Sequence, residues 1–233
     1  MTESYATYCI IDSDQPVPEG IIGLHAGVVT NLPYRGIGVA VSVLPMPVGD
    51  IVAGAVEHEA VVERLMEAHT VLPMRFPTVF SSLEVILAMM ARRHDSFRES
   101  LCRLQGRVEF GVKVLWPCDA GRYLNVQGRD ALATNGRQYM QERYRQHQCH
   151  QALQKQAARC GGTLDVSLGE WAAAKKVRNL TTDRLAVDGV YLVDKTKEEG
   201  FRRAFANLRR DEPGFKYLLS GPWPPYSFVE AID

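Results

Sequence analysis

The residues able to carry chemistry are few and scattered. His147-Gln148-Cys149-His150 is the one metal-like cluster. Its two imidazoles stand three positions apart in a helix-forming stretch, so they can share a face and hold a cation weakly. A closed zinc site needs four ligands, and no second Cys/His pair at metal spacing accompanies them. His25, His58, His69 and His94 stand alone and read as surface or helix-face residues. Gly20-Ile21-Ile22-Gly23 and Gly36-Ile37-Gly38 lack the strand-to-helix setting of a phosphate loop, and there is no nucleophile elbow. Arg75 lies in the apolar run Leu72-Pro73-Met74-Arg75-Phe76, and Glu109 on the less apolar side of Val108–Val114. If their strands are neighbours, the two side chains form a partly buried ion pair that fixes register. A catalytic Glu109 would need a second acid, a nucleophile or a metal, and the sequence offers none beside it. The expectation is a protein without catalytic, cofactor-binding or metal-binding residues.

Composition agrees with a globular chain that works through surfaces. The 233 residues are 46% hydrophobic and 23% charged, enough for one large or two smaller cores without disulfide or metal staples. Lys plus Arg and Asp plus Glu both number 27, so the net charge is zero. Without a basic excess to neutralise phosphates, a nucleic-acid partner is not expected. The zero is a sum of unlike halves: residues 1–116 hold 9 basic and 13 acidic residues, and residues 117–233 hold 18 and 14. No apolar run reaches the length of a membrane span. Met1-Thr2-Glu3-Ser4 begins no export signal, and the five cysteines, Cys9, Cys102, Cys118, Cys149 and Cys160, are odd in number and widely spaced. Reduced thiols in a cytoplasmic protein are therefore expected.

The first half alternates strands and helices. Tyr5–Ile11 and Ile37–Leu44 are β-rich, with Val28-Val29 before the second and Asn31–Gly36 as turn chemistry between them. Ala55–Ala68 has helical spacing in Val61, Val62, Leu65 and Met66. Val71–Phe76 reads as a strand that Pro73 and Pro77 assign to a sheet edge or a distortion. Ser81 or Ser82 caps the next helix, whose stripe runs Leu83, Ile86, Leu87, Met90, Phe97, Leu101 and Leu104 up to Gly106. Val108, Phe110, Val112 and Val114 then share one face of a strand that Pro117 stops.

The second half opens with a long polar helix over Asn135–Cys160, ended by Gly161-Gly162. All-polar helices often bridge between bodies, so this one also reads as a docking arm. Trp171–Lys176 reads as a helical turn or an insert, Arg184–Asp194 as a strand, Lys197–Arg210 as a helix and Phe215–Leu219 as a strand. The element order predicts an α/β (α+β) fold of two ferredoxin-like α/β sandwich domains, residues 1–117 and 118–219. Residues 220–233 form an extended tail rich in proline and aromatics. Trp223, Pro224, Pro225, Tyr226 and Phe228 are its candidates for an interface, with a partner or with the chain's own domains, because such a group is costly to leave solvated.

Three stretches carry a resemblance. His58–Glu63 leads into Thr70-Val71-Leu72-Pro73-Met74-Arg75-Phe76-Pro77-Thr78-Val79-Phe80-Ser81-Ser82. Gly106-Arg107-Val108-Glu109-Phe110-Gly111-Val112-Lys113 follows, and the chain closes on Gly221-Pro222-Trp223-Pro224-Pro225-Tyr226-Ser227-Phe228. In this order they resemble the gas vesicle protein F/L family (GvpF/GvpL), as do the Val190–Lys195 strand and the Phe201 helix. The likeness runs from about residue 5 to about residue 230, with Asn135–Arg178 outside it. It implies two ferredoxin-like domains with the C-terminal tail packed back, no enzymatic activity and no cofactor. It further implies a cytoplasmic protein associated with gas vesicles and needed for their assembly. The implied partners are the hydrophobic shell protein GvpA and other accessory proteins, with no nucleic acid, membrane or metal. Such a protein acts as an assembly factor or as a minor vesicle component. A small-molecule-binding or regulatory enzyme module on a ferredoxin-like sheet is the other reading of the fold.

Overall fold

A computed structural model describes residues 4–45, 49–116, 136–182, 184–212 and 214–229. Pro117, Cys118 and Asn135, to which the sequence reading gave roles, lie outside the described residues. The chain divides into two units, Met1–Val108 with Trp223–Asp233, and Glu109–Pro222. The described residues form two four-stranded antiparallel sheets and four α-helices, an α+β architecture.

In the first sheet β1 (Ser4–Ile11) lies between β3 (Ile37–Leu44) and β4 (Val71–Phe80), with β2 (Thr30–Tyr34) on the far side of β3. β2 and β3 are joined by Arg35 and Gly36, both left-handed at φ 48° and 85°, the two-residue turn whose twist suits a hairpin. The turn is thus shorter than Asn31–Gly36: Asn31 to Tyr34 pair with β3. Gly38 is required here for another reason, since a Cβ would fall 1.9 Å from Asn31 Oδ1. β4 is an edge strand, as Pro73 and Pro77 require. Its register with β1 jumps from Thr7↔Thr78 to Cys9↔Pro73, so Met74–Pro77 bulges opposite Tyr8.

Helix α1 (Ile51–Met66) is capped by Asp50, whose carboxylate accepts the Val52 and Ala53 N–H groups at 2.8 and 3.1 Å. Helix α2 (Leu83–Leu104) is capped by Ser82 and followed by Gly106 at φ 68°. Both helices pack on β1 and β4. Val17, Ile21, Leu24 and Val29, from the connection between β1 and β2, join Tyr8, Cys9, Ile11, Val61, Val62 and Leu65 in one core.

The second sheet has the order β6 (Ala172–Asn179), β7 (Leu185–Asp194), β5 (Arg107–Leu115), β8 (Lys216–Trp223). Helix α3 (Gly136–Leu168) connects β5 to β6, and α4 (Glu198–Asp211) connects β7 to β8. Phe110, Tyr191 and Phe201 form its aromatic centre, with ring centroids 5.1 and 5.4 Å apart about Phe201.

Three expectations are corrected. Gly161-Gly162 does not end α3, which runs on to Leu168. A Cβ at Gly161 would fall 2.2 Å from Asn179 Oδ1, so this glycine serves close approach to β6 and not helix termination. Ala172–Asn179 is a strand, preceded by a single 3-10 turn at Gly169–Trp171. Ser220 to Trp223 belong to β8, because β8 is an edge strand, where Pro222 removes no needed hydrogen bond.

Candidate partner-binding site

The C-terminal segment is built from the end of β8 outward. Tyr226–Phe228 forms a 3-10 turn, the Tyr226 and Phe228 N–H groups donating to the Pro224 and Pro225 carbonyls at 2.8 and 3.0 Å. The turn packs against β4, and Arg103 of α2 donates from its guanidinium to the Phe228 carbonyl at 3.1 Å. Pro224, Pro225 and Phe228 are buried and Tyr226 is half-buried, whereas Trp223 stays 38% exposed. Burial raises the Tyr226 phenol, and the carboxylate of Glu59 on α1 adds to that shift. Of the five candidates, three are thus occupied inside the first unit and Trp223 remains accessible.

Arg75 and Glu109 are not cross-strand partners. Arg75 is exposed on β4 in the first sheet, and Glu109 is buried on β5 in the second, so the neighbouring strands that the pair required do not exist. The apolar neighbours of Arg75 suggested burial, but it lies within the bulge of an edge strand and is exposed.

His147 and His150 lie on α3, where each ring Nε2 hydrogen-bonds the glutamine four positions on, Gln151 and Gln154, at 3.0 Å. Among the described residues no group of three or more His, Cys, Asp or Glu is placed to hold a metal. Gly23 approaches the Tyr8 hydroxyl so closely that a Cβ would sit 2.0 Å from it, a packing role and not a phosphate cradle.

His58 is neither surface residue nor bystander. It is 2% exposed, lies between the rings of Tyr8 and Phe76 at 5.3 and 5.7 Å, and bonds the Thr7 backbone. Burial lowers its imidazole to about 4. Tyr8 completes this polar inclusion, bonding Ser42 Oγ at 2.7 Å and accepting the Leu24 N–H at 2.8 Å. The signal was present: positions 58, 61, 62 and 65 share the buried stripe of α1. The opposite face of α1 was missed altogether. Val52 and Val56 are exposed there, at 74% and 64%. In the second unit an open cleft of about 630 Å³ runs between α3 and α4, with Trp171 and Gly200 in its lining.

This is a two-unit α+β protein whose described features are exposed apolar surfaces and buried structural inclusions. The chain belongs to the gas vesicle synthesis protein GvpL/GvpF family, whose model matches residues 5–230. The family is not enzymatic. The chain is 31% identical over 184 residues to gas vesicle protein L of Streptomyces sp. (strain CB03234), covering 76% of this chain and 68% of that one. It is 28% identical to gas vesicle protein F1 of Halobacterium salinarum, covering 99% and 94%. The crystal structure of GvpF from Anabaena sp. PCC7120 superposes with a TM-score of 0.81 at 19% identity over 98% of this chain and 96% of that one, which speaks to the fold. No helix among the described residues is long and apolar enough to cross a membrane.

Proposed function

We propose that this protein is a non-enzymatic accessory factor of gas vesicle assembly that binds the hydrophobic shell protein GvpA, in the cytoplasm and at the vesicle. Family membership carries the first part of this reading. The observation that carries the second is the C-terminal segment, in which Pro224, Pro225 and Phe228 are anchored while Trp223 is left accessible on a fixed backbone. A rigid, accessible indole is the kind of anchor that apolar partners use, at low entropic cost. Shell subunits are themselves apolar and need a partner surface before they join the wall. Both units are read as ferredoxin-like: β5-α3-β6-β7-α4-β8 with β5 between β7 and β8 has the split β-α-β arrangement, and the first sheet repeats the strand order.

Gene deletion with complementation tests the reading. The intact chain restores buoyant cells, and Trp223→Ala, folded but lacking the anchor, restores few or none. Full vesicle formation by Trp223→Ala contradicts it. Washing purified vesicles with urea decides between a transient factor, which is removed, and a minor wall component, which is retained.

A further inference from the structure

Helix α3 is longer than its unit needs. Its buried residues, Leu153, Ala157, Cys160, Gly161, Leu164 and Leu168, all lie in the C-terminal half. Residues 136–152 extend beyond them for roughly 25 Å at the rise of an α-helix. Along this arm Arg137, Met140, Gln141, Tyr144 and Arg145 share one face by helical spacing and line one shallow surface depression. Met140 is 67% and Tyr144 64% exposed. The pattern along the arm is basic, apolar, basic.

The outer face of α1 has the inverse pattern. Val52, Val56, Glu59 and Glu63 recur at i, i+4, i+7 and i+11, and Asp50 stands at the helix start. The order is acidic, apolar, acidic. Arg137 to Arg145 spans roughly 12 Å and Asp50 to Glu59 roughly 13 Å along their helix axes. Glu59 and Glu63 are like charges on one stripe, and burial followed by Glu59 raises the Glu63 carboxyl, so a cation there would be favoured. Each face is exposed within its own chain except at Glu63, which is half-buried.

We propose that the α3 arm of one molecule docks antiparallel on the α1 face of a second copy, Met140 and Tyr144 covering Val52 and Val56, with Arg137 opposite Glu59 and Glu63 and Arg145 opposite Asp50. The occupant follows from charge and length: one chain carries both matching faces. The contact joins unlike surfaces, so it closes as a reciprocal dimer or continues as a head-to-tail array. It does not involve Trp223 or the shell protein.

Sedimentation velocity of the full chain alone, over a concentration series at low and high salt, tests it. Mass rises with concentration at low salt and returns to monomer at high salt, as exposed ion pairs are screened. Arg137→Glu with Arg145→Glu, and separately Glu59→Lys with Glu63→Lys, each weaken self-association by roughly a hundredfold or more through like-charge contact. Mixing the two variants restores association, because the unaltered arm of the face variant meets the unaltered face of the arm variant. A wild-type chain that stays monomeric at low salt overturns the proposal. So does an arm-reversed chain that associates as the wild type does, or a mixture of folded variants that stays monomeric.

Discussion

The imidazole of His58 lies 5.3 Å from the ring of Tyr8, and its Nε2 is buried without a hydrogen-bond partner among the described residues. The ring is held neutral: burial lowers it to about 4 from 6.5. Between those values the unfolded chain binds the proton and the folded chain does not. The stability contributed by this group is therefore complete above about pH 6.5 and is lost as the pH falls toward 4, by about 3 kcal/mol in all. Denaturant midpoints at pH 7 and pH 4.5, compared between the wild type and His58→Leu, check this. The variant is expected to lose a correspondingly smaller amount on acidification; equal losses would refute it.

The C-terminal segment separates packing from recognition. Phe228 is 8% exposed, and Phe228→Ala is expected to cost about 3 kcal/mol by cavity creation. Trp223→Ala, at a partly exposed position, is expected to cost about 1 kcal/mol or less. Urea denaturation of the two variants measures the difference, and equal costs would show that Trp223 is a core residue.

Gly200 packs closely against the Trp171 ring. A Cβ there would lie 2.1 Å from an aromatic carbon of Trp171, and the neighbouring ring atoms are 2.6 and 2.8 Å away. Gly200→Ala raises helix propensity, yet it is expected to destabilise by about 1–3 kcal/mol, because the indole has to move. A raised melting temperature would contradict this.

Arg75 offers the converse case. It is exposed and its strand is not beside that of Glu109. Arg75→Ala is expected to shift stability by less than about 0.5 kcal/mol, read from the denaturation midpoint. A loss of several kcal/mol would mean a buried ion pair after all.

Much of the fold was legible because some segments obey one rule at a time. Val108, Phe110, Val112 and Val114 alternate strictly, and β5 covers Arg107–Leu115. Ser82 followed by the Leu83–Leu104 stripe was read almost to the residue. Misreadings arose where one residue type serves two purposes. Gly161 looks like a helix stop and is a point of close approach to Asn179. Pro33 and Pro222 look like breakers and sit in edge strands that do not need their missing N–H. The site was less legible than the fold, for a reason of partners. Packing of the Tyr226–Phe228 turn depends on β4 and Arg103, more than a hundred positions away, and periodicity carries no such information. His58 shares a helix stripe with Val61, Val62 and Leu65, but its polarity argued for solvent, and the Thr7 backbone bond that permits burial comes from another element.

The central claim is direct binding of the shell protein through a surface that includes Trp223. The most direct measurement is retention of GvpA, co-expressed with the tagged full-length chain, in a pull-down beside Trp223→Ala and Phe228→Ala. The account predicts retention by the wild type and strong loss with Trp223→Ala at an unchanged melting temperature. No retention by the intact, folded chain, or undiminished retention by Trp223→Ala, would contradict it.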